Sequence, residues 1–214
     1  MLTPPAIDHA AFRATADLIA TRRSIRRYAP EAILPEFVDE LLRCAVNAPS
    51  AHNRQPWRFA VICDSDLKVG LARAMGERLR ADRLRDGDAP DMVDADVGRS
   101  IRRITTAPVV VVVAATTLDM DAYPDPRRRE AEYLMAVQST AMAVQNLLLA
   151  AHSAGLAACW MCAPLFCPDT VRAVMALPAD WQPQAIVTLG VPAAQGKPYS
   201  RRPLAEVVRR VESA

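Results

Sequence analysis

The chain has 214 residues, 51% of them hydrophobic and only 5% aromatic. That is enough to bury a sizeable core of alanine, valine and leucine, and too apolar for general disorder. Twenty-six basic against 24 acidic residues leave a net charge of +2, without the one-sided excess of a dedicated nucleic-acid binder.

Asp8 caps an expected first helix, residues 10 to about 22, with Phe12, Ala16 and Ile19 at helical spacing. The stretch TRRSIRRYAP follows at once and sets four arginines around Ser24. Such a run reads either as a solvated helix end or as a socket for phosphate. Lys68 and Lys197 are the only lysines, so basic clusters here are arginine clusters, whose forked donors match phosphate and carboxylate. Leu34-Pro35-Glu36 opens a second helix through about Asn47, burying Phe37, Leu41, Leu42 and Ala45. It stops at Ala48-Pro49, where the proline disfavours continuation.

Residues 57–63 (WRFAVIC) are an expected strand, followed by a helix from Leu67 to Arg80 or beyond. Residues 76–103 are the most charged part of the chain, broken at DGDAP, and read as a solvated helical excursion or a lid. Residues 108–115 form a valine-rich strand, expected to be buried on both faces. Residues 129–152 are the most periodic element. Leu134, Val137, Ala141, Val144 and Leu148 make one apolar stripe, and Met135, Met142 and Leu149 a second. Such a helix belongs in a core or a subunit interface, and Gly155 stops it. Strands at 156–161 and 184–191 bracket a short helix at 168–176, and the chain ends on GKPYSRRP and an amphipathic tail.

These elements predict a single α+β domain over residues 1–214, with a mixed central sheet of four or five strands flanked by helices. The longest uninterrupted apolar run, residues 107–115, has the length of a strand rather than a membrane span. The N-terminus lacks the order of a signal peptide. A cytoplasmic protein with its five cysteines free is expected. Cys159, Cys162 and Cys167, with His152 upstream, raise zinc as a reading, but a second ligand pair is missing; Cys159 and Cys162 are read as buried thiols. There is no GxGxxG and no P-loop among only seven glycines, so a phosphate would have to be held by arginine.

Three motifs stand in order: Arg22-Arg23-Ser24-x-Arg26; the loop APSAHNRQPWRF with Pro49, Ser50, Asn53, Gln55, Pro56 and Trp57; and Arg201-Arg202-Pro203-Leu204. Together they resemble the FMN-dependent nitroreductase family over nearly the whole chain. GLAACWMCAPLF and LPADWQPQAIVTLGVP are similar to the reductase domain associated with the ligase that glutamylates the deazaflavin coenzyme. The flavin-fragmenting enzyme that makes the cobalamin lower ligand shares the Pro-Trp-Arg-Phe stretch, a lesser resemblance.

The resemblance implies an intertwined homodimer with FMN as cofactor and NAD(P)H as donor. It implies a small-molecule acceptor such as a nitroaromatic or quinone, served by a ping-pong cycle, and neither a nucleic-acid nor a membrane partner. It implies that Arg22, Arg23, Ser24 and Arg26 hold the flavin's phosphate, ribityl chain and pyrimidine edge, and that Arg201 and Arg202 close on the same phosphate. Pro49, Ser50, Ala51, Asn53 and Gln55 would reach the flavin of the other subunit, with His52 lining the substrate pocket or bonding locally. Trp160, Met161, Cys162 and Ala163 would face the ring and offer it a backbone N–H. Cys162-Ala163 departs from the family's usual Glu-Gly or Gly-Ser. No side chain need act as acid or base. The rival readings are a reductase of a specialised intermediate, such as a deazaflavin precursor, and a flavin-binding protein without turnover.

Overall fold

The computed structural model describes residues 7–211. Its centre is a four-stranded sheet of β1 (Trp57–Ile62), β2 (Val109–Ala115), β3 (Ala157–Met161) and β4 (Gln182–Gly190), in the order β1-β2-β4-β3. All three strand pairs are antiparallel. The expected mixture survives only as one parallel bridge, Ser24 to Ala158. Alternation of strands and helices in sequence does not fix strand direction when the crossovers return to opposite ends of the sheet.

β2 is buried along its whole length, as the valine run requires, and its side chains alternate between two cores. Val109, Val111 and Val113 meet Val38, Leu41, Val144, Leu147 and Leu148 on one face. Val110 and Val112 meet Leu71, Met75, Ile104 and Val171 on the other. Each buried aliphatic contributes about 1.5–3 kcal/mol relative to exposure, so this strand anchors the fold.

The first face is covered by α2 (Pro35–Val46) and α5 (Pro126–Ser153), the second by α3 (Ser65–Arg85), α4 (Pro90–Thr105) and α6 (Pro168–Met175). Local chemistry sets the ends. Asp64 accepts from the Leu67 amide at 2.7 Å and Asp125 from the Arg128 amide at 3.0 Å, satisfying first-turn donors. Gly87, at φ +88°, turns α3 into α4. The charged excursion is therefore a helical hairpin seated on the sheet: Gly76 packs against Val97 and Ile101, and Val93 and Ile104 are buried.

α5 corrects the expectation that no segment has membrane-spanning length. At 28 residues it is long and apolar enough by composition, because its apolar residues are dispersed rather than consecutive. One face packs on the sheet. Leu134 of the first expected stripe and Met142 of the second are exposed within the chain.

α1 (His9–Thr21) is capped as expected, with Asp8 accepting from the Ala10 and Ala11 amides at 3.0 Å. It buries none of its residues; Phe12 is 67% and Ile19 52% exposed. The tail, including α7 (Leu204–Val207), is likewise exposed.

Candidate functional site: an arginine cleft at one end of the sheet

After α1 the chain turns extended and is pinned on two sides. The Ile25 amide donates to Ala158 O at 3.2 Å, on the outer edge of β3. The Ala29 amide donates to Val191 O at 2.9 Å, and the Ala193 amide to Arg27 O at 3.0 Å. Tyr28 locks the same segment: its hydroxyl lies 2.9 Å from Ile25 O and 2.6 Å from the Thr188 hydroxyl. Burial pushes its pKa up to about 12, so it remains a neutral donor. The arginines therefore project from a fixed backbone although they sit in a loop.

They line a cavity of about 580 Å³ with Ser24, Gly196, Lys197, Tyr199, Arg103 and Arg201. Arg23 donates to Ala20 O at 2.7 Å and Arg22 O at 2.9 Å, closing the end of α1. Its guanidinium stands 4.1 Å from the centre of the Tyr199 ring, and that of Arg201 stands 3.8 Å from it, so one ring orients two cations. The Tyr199 hydroxyl donates to Ala20 O at 2.7 Å. Gly196 allows the approach of the two segments: a Cβ there would lie 2.2 Å from Arg23 Cβ.

Among the described residues, no acidic one lines this cavity. Of the ion pairs among the described residues, none uses Arg22, Arg23, Arg26, Arg27, Arg103 or Arg201. Guanidinium groups gathered without carboxylates repel one another unless an anion joins them. The effect reaches His152, 3.0 Å from the Thr21 hydroxyl, whose pKa is lowered first by burial and then by Arg22 and Arg23. A dianionic phosphate monoester has the charge and acceptor geometry to relieve this field.

The loop motif lies elsewhere. Trp57 is buried with Ala48 and Ala143 at the end of the sheet where Trp57, Ala115 and Gln182 align. Ser24 sits at the end where Ala157 aligns with Gly190. About 3.3 Å per residue along β4 puts roughly 25 Å between these ends. His52, Asn53 and Gln55 adopt φ of 50°, 54° and 49°, a left-handed conformation that costs roughly 1–2 kcal/mol per non-glycine residue. It is held by the Ala51 amide donating to Ser139 Oγ at 3.2 Å, the Gln55 amide to Ser50 Oγ at 3.0 Å, and Arg54 paired with Asp121 at 2.5 Å. These bonds constrain an exposed loop in a sparsely populated backbone conformation.

Trp160 and Met161 end the edge strand β3 between the two ends, and Cys162 and Ala163 lead into a short 3-10 turn, Ala163–Phe166. Since Ala158 O faces outward to Ile25, the two-residue alternation turns the Trp160 amide to the same outer edge. Cys159 is buried and its thiol pKa is raised by burial. Cys162 is exposed, contrary to expectation, because β3 ends at Met161; it accepts from Trp160 Nε1 at 2.7 Å.

Within one chain, then, Arg22, Arg23, Ser24, Arg26 and Arg201 come together. Arg202 is exposed and outside the cleft, and Pro49, Ser50, Ala51, His52, Asn53 and Gln55 are at the far end. Sequence reading missed Tyr199, Gly196, Lys197 and Arg103. The first three lie inside GKPYSRRP, where a lone glycine and tyrosine beside basic residues were the available signal; Arg103 carried none.

The family model described as the nitroreductase family matches residues 19–191. A Thermus thermophilus protein named NADH dehydrogenase is 32% identical over 87% of this chain and 91% of its own length. A Desulfovibrio desulfuricans structure, regarded as a nitroreductase in complex with FMN, is 29% identical at a TM-score of 0.69, over 94% of this chain and 98% of that one. A BluB-like flavoprotein from Clostridium difficile shares the fold, at a TM-score of 0.79 and 23% identity over 92% of this chain and 99% of that one.

Proposed function

Because the chain belongs to the nitroreductase family, we propose that it is an FMN-dependent NAD(P)H oxidoreductase whose arginine cleft holds the flavin's phosphate. The carrying observation is the carboxylate-free cavity in which Arg22, Arg23, Arg26 and Arg201 have no ion-pair partner. A relative of the same fold is named as an FMN complex and another as an NADH dehydrogenase.

FMN held there would supply hydride transfer from NAD(P)H to an acceptor of the nitroaromatic or quinone class, donor and acceptor taking turns. The chain's own residues bind and orient. Arg22 and Arg201 would hold the phosphate, and Ser24 would offer its hydroxyl beside them. Tyr199 and Gly196 keep Arg23 in place. The outward Trp160 amide is the donor available to the ring, and the adjoining Cys162-Ala163 leaves that edge without a carboxylate.

The working unit is a homodimer. α1 presents Phe12 and Ile19, and α5 presents Leu134 and Met142, as uncovered apolar surface. An amphipathic helix that buries nothing in its own chain calls for a partner, and a second copy would also bring a strained loop to each arginine cleft.

The test is the visible spectrum of purified protein, then anaerobic addition of NADH and NADPH. Flavin bands that bleach are expected. A colourless protein that takes up no FMN would refute the reading, and bound flavin that neither nucleotide reduces would reduce it to a flavin-binding protein.

A further inference from the structure

A second cavity, of about 540 Å³, adjoins the first and shares Arg26, Arg27 and Arg103 with it. Its other wall is the end of α4, with Arg99, Arg102 and Thr106. The α3–α4 hairpin shows what its arginines do when they are structural. Arg78, Arg80, Arg83, Arg85 and Arg99 all hold carboxylates. Arg99 lines this cavity too but is held by Asp96, and Arg73 on α3 lies away from it, unpaired among the described residues; Arg102 and Arg103 face the cavity and hold no carboxylate.

The neutral donors here are committed elsewhere. Tyr28 bonds Ile25 O and Thr188, and Thr106 Oγ1 donates to Arg102 O at 2.7 Å. What remains is guanidinium, with no acidic residue in the lining. One phosphate monoester carries about two negative charges, which Arg22 and Arg201 alone match in the first cleft, with Arg23 and Lys197 beside them. The cations of the second are surplus to it.

Resting on the oxidoreductase reading above, we propose that this second cleft binds the 2′-phosphate of the nicotinamide donor, and that the protein therefore prefers NADPH to NADH. The two donors share their nicotinamide and pyrophosphate and differ by one phosphomonoester, the group that a bare arginine cluster discriminates. Arg102 is the discriminating residue: it lines only the second cleft and is exposed, so replacing it leaves the FMN cleft and the core intact.

The experiment uses the FMN-loaded protein. Calorimetric titration of the wild type with adenosine 2′,5′-bisphosphate is expected to show affinity at least tenfold above that for AMP. Arg102→Gln removes most of that difference and Arg102→Lys restores part of it. In anaerobic flavin reduction, kcat/KM for NADPH falls about tenfold in Arg102→Gln while that for NADH is unchanged. Equal affinity for the two adenosine phosphates, or an equal loss with NADH and NADPH, overturns the inference and leaves the oxidoreductase reading standing. Failure of both nucleotides to reduce the wild-type flavin overturns both.

Discussion

The two ends of the sheet prepare for a ligand by different physics. At the Ser24 end the backbone is relaxed and pinned by bridges, and the tension is electrostatic, in arginines without carboxylates. At the Trp57 end the charges are paired, Arg54 with Asp121 and Arg58 with Asp119, and the tension is conformational, in three left-handed residues. A single chain separates them by roughly 25 Å of sheet; on the proposed reading they are two half-sites that meet only across a dimer.

The comparison is broken most strongly at its fixed points. Trp57 is the buried anchor of the loop end, and Trp57→Ala is expected to cost about 3–5 kcal/mol in denaturant unfolding; a loss below about 1 kcal/mol would mean the loop is anchored otherwise. At the other end, Arg22→Ala with Arg201→Ala should weaken FMN binding by at least about 100-fold, on the order of 2.7 kcal/mol, with unchanged circular dichroism; undiminished flavin content would remove the phosphate assignment.

Gly196→Ala sharpens the charge end. Its new Cβ would collide with Arg23, and displacing that one guanidinium should lower FMN affinity about tenfold, about 1.4 kcal/mol, read by fluorescence titration. His52→Gly sharpens the strain end: removing the left-handed penalty should raise stability by about 1 kcal/mol while lowering turnover. A destabilised variant would show that no strain is stored there.

The smallest effect is a pH signature. The folded pKa of His152 is lowered, by burial and then by Arg22 and Arg23. Above the unfolded value near 6.5 the group is neutral in both states and costs nothing. As pH falls through that value the unfolded chain takes up the proton first, so stability declines. FMN, by neutralising the arginines, should raise the His152 pKa, visible in its NMR titration with and without flavin; an unmoved titration would place the phosphate away from Arg22 and Arg23.

Much of this was legible in the sequence. The valine run dictated a doubly buried β2, Asp8 and Gly155 bounded their helices, and the arginine motif after α1 does line a common cavity. What was hidden depended on neighbours. Periodicity made α1 amphipathic but could not say that its apolar face stays exposed among the described residues. Arg201 and Arg202 are indistinguishable as letters; the Tyr199 ring beside Arg201 decides which one enters the cleft. Cys162 read as buried because the apolar segment continues past it, whereas β3 has already ended.

The central claim is that a complete site needs the arginine end of one chain and the loop end of another. Mixing tests it directly: the Arg22→Ala, Arg201→Ala chain is combined, through unfolding and refolding together, with a chain carrying Asn53→Ala and Gln55→Ala. NADPH-dependent reductase activity of the mixture is then compared with that of each parent alone. Two half-sites predict one restored site per mixed dimer, with activity well above the mean of the parents. Activity no greater than that mean would place the whole site within one chain and contradict the account.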